Sequence, residues 1–175
     1  MLQTRSSLFI LLVMLLVLAV SGGCGTEHAE EDLTTGAANA TLDPRVLLSA
    51  YAFPGSIVGG APYLFYLHGR IIQDQGIVAV SPAYGAYDYL GILARLSNAG
   101  FRVVSEARLP GADPADYARR VADQIQTLLE SGVPASQITI VGASMGGDIA
   151  ILISSLVDES QIHYVLLASC NQDSK

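Results

Sequence analysis

The stretch Ile138-Thr-Ile-Val-Gly-Ala-Ser-Met-Gly-Gly-Asp-Ile-Ala-Ile-Leu152 constrains the fold of this chain more than any other. Residues 138–141 are apolar and mostly β-branched, the pattern of a strand buried on both faces. A helix is predicted to start near Met145, and Gly142-Ala143-Ser144-Met145-Gly146 joins the two. A strand-to-helix turn this tight brings two backbones together. The positions two before and two after Ser144 must therefore be small, and Gly142 and Gly146 are. Gly147 lets the helix lie close to the adjacent strand. The serine at the tip sits before the first N–H groups of the helix, beginning with Met145, which face any anion forming at Ser144. A plainer reading keeps Ser144 as a simple N-cap on a glycine-rich connection.

Strand and helix patterns alternate along the rest of the chain. Residues 45–53 read as a strand closed by Pro54-Gly55, and residues 62–67 as a continuous apolar strand followed by His68-Gly69. Residues 70–86 carry Asp74, Gly76, Pro82 and Gly85 and read mostly as loop. Tyr89, Leu90, Leu93 and Leu96 give a helix one apolar face, with Gly100 at its end. A short strand over 101–104 leads to Ser105, Glu106 and Arg108. Asp113-Pro114 marks a helix start, an N-cap acid followed by proline at the first helical position. Tyr117, Val121, Ile125, Leu128 and Leu129 form the buried face of that helix. The helix after Ser144 is apolar nearly all round, which predicts a central position. Residues 164–168 are one more buried strand. This order predicts a doubly wound, mostly parallel α/β sheet. His68, Glu106, Ser144 and Cys170 all fall at the carboxyl ends of its strands, where such sheets bind ligands, so a pocket is expected there.

Composition supports one domain and an appendage. Of 175 residues 51% are hydrophobic and 14% charged, with a net charge of −7. With no basic run in an acidic chain, a nucleic-acid partner is excluded, because phosphate binding needs clustered Lys and Arg. Two cysteines, Cys24 and Cys170, are too few and too isolated for a Cys-based metal site, and no cofactor is implied.

Residues 1–23 read as a signal peptide: Arg5 precedes an apolar run over 8–20, too short to span a bilayer comfortably. Ser21-Gly22-Gly23-Cys24 then resembles the lipobox of bacterial lipoproteins. That resemblance implies lipidation of Cys24 and a chain anchored on a membrane surface; ordinary signal-peptide cleavage, giving a secreted or periplasmic chain, is the alternative. Residues 24–43 change to Thr, Glu, Ala and Asn and read as an acidic tether, with His28 solvated within it. The domain is expected over 44–175.

With Leu67-His68-Gly69-Arg70, Asp74-Gln75-Gly76 and Gly142-Ala143-Ser144-Met145-Gly146 in order, the chain resembles small bacterial hydrolases of the α/β-hydrolase superfamily over about 63–170. The resemblance implies that Gly142–Gly146 is a nucleophile elbow with Ser144 as nucleophile. The oxyanion hole would be formed by the N–H of Met145 and one from the His68-Gly69 loop. The reaction would be acyl transfer from a small ester or amide to water through an acyl-enzyme.

The family orders its triad Ser, acid, His. Here only Asp173 follows the last strand as an acid, and His163 opens that strand at the far edge. The expectation is a hydrolase fold incomplete at its C-terminus and impaired in turnover, unless His68 swings in as base. The alternative is a non-catalytic binding or structural module. Nucleotide binding is disfavoured because G-x-S-x-G lacks the glycine spacing a pyrophosphate needs. The strand over 164–168 would be an apolar edge open to a partner chain.

Overall fold

The computed structural model describes residues 43–169. The signal segment, Cys24, the tether with His28, and Cys170 and Asp173 lie outside the described residues. Within them run α1 (Pro44–Ser49), β1 (Tyr63–Leu67), α2 (Arg70–Gln75), β2 (Val80–Ser81), β3 (Gly85–Ala86), α3 (Tyr89–Asn98) and β4 (Arg102–Val104). Then follow α4 (Pro114–Glu130), a 3-10 turn (Ala135–Gln137), β5 (Ile138–Ala143), α5 (Met145–Leu156) and β6 (His163–Leu167).

Four strands form one parallel sheet in the order β4-β1-β5-β6, and β2 and β3 make a small antiparallel hairpin. The protein is an α/β fold. Every residue of β1 is buried, as its unbroken apolar run predicts. On one face, Tyr63, Phe65 and Leu67 join Ile138 and Ile140 against α4 and α5. On the other, the Tyr66 ring lies 6.1 Å from that of Tyr89 in α3. Asp113 caps α4 by accepting from the N–H groups of Ala115 and Asp116, both at 2.9 Å, with Pro114 in the first turn.

Three expectations change. Residues 45–53 hold no strand; α1 occupies their first half, started by the same acid-proline pair that starts α4. Its side chains stay partly or fully exposed, so the short apolar run reflects no buried strand. Residues 70–86 are more regular than loop: α2 and the β2–β3 hairpin lie there, the hairpin turning through residues 82–84 with Gly85 opening β3 at φ 77°. Thirdly, α5 is not central on all sides. It buries Met145, Ile149, Ala150 and Ile153 against β5 and α4, while Ile151 and Leu156 are 50% and 52% exposed. Only β6 lies beyond β5 in the sheet, so the outer face of this helix meets no further layer among the described residues.

Candidate functional site

The turn between β5 and α5 holds Ser144 at φ 52° and ψ −123°, a backbone region costly for any side chain. The strain persists because packing on both sides fixes it. A Cβ on Gly142 would lie 2.3 Å from the Gly146 carbonyl oxygen, and one on Gly146 only 1.9 Å from that of Leu67. Real Cβ atoms do not approach backbone so closely, so both glycines are required by space. The Ser144 N–H donates to Leu167 O at 2.8 Å, pinning the turn to the end of β6, where Ala168 is the second non-glycine residue at positive φ. Ser169 Oγ donates to Ser144 O at 3.3 Å.

Ser144 is exposed, and its side chain makes no capping hydrogen bond to α5. That removes the plainer reading of a simple N-cap, whose purpose is to satisfy such an N–H. Behind it, the Met145 N–H has no acceptor among the described residues, as expected for a first helical N–H. β1 lies beside β5 with Leu67 opposite Gly142, which brings Gly69 to the same place. A Cβ on Gly69 would sit 3.4 Å from that of Ser144 and 4.0 Å from its hydroxyl oxygen. The Gly69 N–H also has no acceptor among the described residues. Ser144, Met145 and Gly69 are thus brought together.

His68 is adjacent in sequence but committed elsewhere. Its ring is fully buried and stands edge-on to Tyr89, with centroids 5.6 Å apart. Nε2 accepts the Arg108 N–H at 2.9 Å, so the proton belongs on Nδ1, which donates to Gly69 O at 2.8 Å. This assignment follows from the partners. Burial, then the charge of Arg108, holds the imidazole down at about 4. A histidine with both nitrogens engaged is no base for Ser144, and its side chain supplies no donor to an oxyanion. His163 pairs with Thr139 at the start of β5. Five residues at ~3.3 Å each put it roughly 16 Å from the Ser144 turn. Glu106 does not join the serine either, because it pairs with Arg120 at 2.7 Å.

Arg108, which the sequence does not single out, is 4% exposed. Its guanidinium donates to His68 O, while its Nε donates to Gln73 Oε1 in α2 at 3.0 Å. Its head group stands over the Tyr117 ring, 5.2 Å from the centroid. Desolvation lowers the pKa of this guanidinium and pushes the Tyr117 phenol up to about 12. The sequence carries one weak sign of Arg108, a cation at the carboxyl end of a strand in a charge-poor chain.

Two cavities lie elsewhere among the described residues. One of about 190 Å³ lies by Tyr51 and Phe101, and one of about 430 Å³ between residues 77–79 and Leu90; Ser144 lines neither. Among the described residues no cluster of His, Cys, Asp and Glu is placed to hold a metal, and no helix is long and apolar enough to cross a membrane.

The fold and this site define a class: a parallel α/β protein with a strained, exposed serine at the carboxyl edge of its sheet. No protein-family model, curated protein or solved structure matches the chain.

Proposed function

We propose that this domain is a serine hydrolase of the α/β-hydrolase type, transferring the acyl group of a small ester or amide to Ser144 and then to water. One observation carries the proposal: Ser144 is exposed, strained and uncapped between two glycines that nothing larger replaces. Ser144 Oγ attacks the acyl carbon, and the N–H groups of Met145 and Gly69 receive the oxyanion. Collapse of the oxyanion breaks the ester or amide bond, the alcohol or amine leaves with a proton, and water then cleaves the acyl-serine ester to release the acid. The role of His68 changes to a buried orienter of the loop bearing Gly69.

Turnover is slow in the described domain, since His68 has both ring nitrogens engaged and His163 lies at the opposite end of β6 from Ser144. A serine hydroxyl without an adjacent base is a weak nucleophile. Two donors and a binding surface alone still leave about 10³–10⁴-fold over water in other triad enzymes stripped of their triad. The locked His68 also favours the second reading, a hydrolase-like module that binds without turnover. On either reading export follows residues 1–23, Cys24 carries the lipid that holds the chain at a membrane surface, and β6 offers its edge to a partner chain.

Incubation with a fluorophosphonate probe, followed by peptide mapping, tests the reaction. The expected adduct is on Ser144 and disappears in Ser144→Ala. An adduct that survives that substitution identifies another nucleophile, and a wild type without adduct supports the binding module.

A further inference from the structure

The Gly69 N–H belongs to the same peptide unit as His68 C=O, and in a trans peptide the two point to opposite sides. The guanidinium of Arg108 donates to that carbonyl. The next unit joins Gly69 C=O to the Arg70 N–H, and its carbonyl accepts from His68 Nδ1 at 2.8 Å. The His68 proton stands on Nδ1 because the backbone N–H of Arg108 occupies Nε2 at 2.9 Å. Both peptide units that flank Gly69 are therefore held by their carbonyls, and Arg108 stands at the origin of both holds.

This arrangement costs stability. A guanidinium taken out of water is expensive to keep unless paired with an anion. The neighbouring carboxylate, Glu106, pairs with Arg120 instead, and Nη1 of Arg108 has no partner among the described residues. Its acceptors are neutral, a carbonyl and the Gln73 amide, with the Tyr117 ring below. As a strut alone, an apolar side chain of similar volume is as good or better. A cation adds something an apolar group does not: it polarises the His68–Gly69 peptide and so strengthens the N–H at its other end.

Resting on the serine-hydrolase reading, we propose that Arg108 is the positioning residue of the oxyanion hole, fixing and polarising the Gly69 peptide that faces Ser144. It touches no substrate and acts through His68 and Gly69. Gln73 holds it in place from α2, its own Nε2 donating to Ala112 O at 3.4 Å.

The test pairs reaction rate with the state of the Gly69 amide. In phosphonylation the Ser144 Oγ–P bond forms, the P–F bond breaks, fluoride leaves and the hydroxyl proton passes to solvent. Rates are measured with a fluorophosphonate on wild type, Arg108→Lys and Gln73→Leu, each where circular dichroism shows it folded, alongside nitrogen-15 NMR of the Gly69 amide and the His68 ring. Arg108→Lys keeps the charge and the backbone N–H but cannot reach His68 O and Gln73 Oε1 together. The expected result is a rate loss of about tenfold or more, short of the ~10²–10³-fold for deleting an oxyanion donor outright. A shifted or broadened Gly69 amide should accompany it. Gln73→Leu, which frees only Nε, should fall between and serves if Arg108→Lys does not fold. A folded Arg108→Lys, or in its place Gln73→Leu, that reacts at the wild-type rate overturns the proposal, as does an unchanged Gly69 amide. A wild type that fails to react while the variant's Gly69 amide moves overturns the serine-hydrolase reading and leaves the positioning of the peptide supported.

Discussion

Ser144 and the glycines that shape its turn are contiguous from Gly142 to Gly147, whereas the group that sets the His68 tautomer comes from Arg108, 40 residues further along the chain. Both regions meet at the carboxyl edge of one parallel sheet. The first is built by local sterics: a missing Cβ at Gly142 and Gly146 lets a helix sit on the end of a strand. The second is built by buried polar groups from the residue after β1, from α2 and from the segment after β4, which find each other only once the sheet has formed. A local device fails by collision; an assembled one fails by losing a partner or gaining a proton.

The largest separation of the two regions is expected at Gly146. Gly146→Ala places a methyl 1.9 Å from the Leu67 carbonyl oxygen, which is backbone and cannot rotate away. A cost of roughly 3 kcal/mol, the upper part of the overpacking range, is expected in a denaturant melt. Gly147→Ala should cost less, because its methyl meets the Ser169 side chain, Oγ at 1.5 Å and Cβ at 2.6 Å, with the Gly142 carbonyl oxygen next at 3.4 Å. Equal costs at the two positions break the steric account of the turn.

Acid should strike the assembled region. The His68 imidazole is held at about 4, below its value near 6.5 in an unfolded chain. Between those values the unfolded chain binds a proton that the folded chain refuses, so stability rises with pH across that window. The contribution is complete above about 6.5 and lost as pH falls toward 4, on the order of 3 kcal/mol at most. Melting temperatures at pH 7 and pH 4.5 should show a drop that His68→Gln reduces. An equal drop in both proteins removes His68 from the cause.

Smaller effects belong to neither region and calibrate the scale. Asp113→Ala should lose about 1 kcal/mol through the two N–H groups of α4 it satisfies. Glu106→Gln breaks an ion pair whose side chains are substantially solvent-exposed. It should change stability by less than ~1 kcal/mol and leave the Ser144 region untouched. A large effect on Ser144 reactivity would give Glu106 a part that its pairing with Arg120 does not suggest.

The same contrast explains what was legible in the sequence. The tight turn at Ser144, β1, α4 with its Asp113-Pro114 start, and the parallel order of strands follow from residues adjacent in the chain or repeating at a fixed period. Residues 45–53 mislead because a short run of Val and Leu carries too little period to separate strand from helix, and the acid-proline pair at 43–44 is the better sign. The exposed face of α5 is not legible at all, since the residues of a helix do not say how many strands lie beyond it. For His68 and Arg108, sequence places both at strand ends but says nothing of which nitrogen meets which carbonyl. That depends on the register of β1 against β4, with Phe65 opposite Val104.

The most direct measurement is mass-spectrometric mapping of the wild-type chain after exposure to a fluorophosphonate. A single adduct on the peptide bearing Ser144, absent in Ser144→Ala, is the result predicted by the proposed reaction at a strained, uncapped serine beside Gly69. No adduct under conditions where the domain is folded, or one on any other serine, contradicts it.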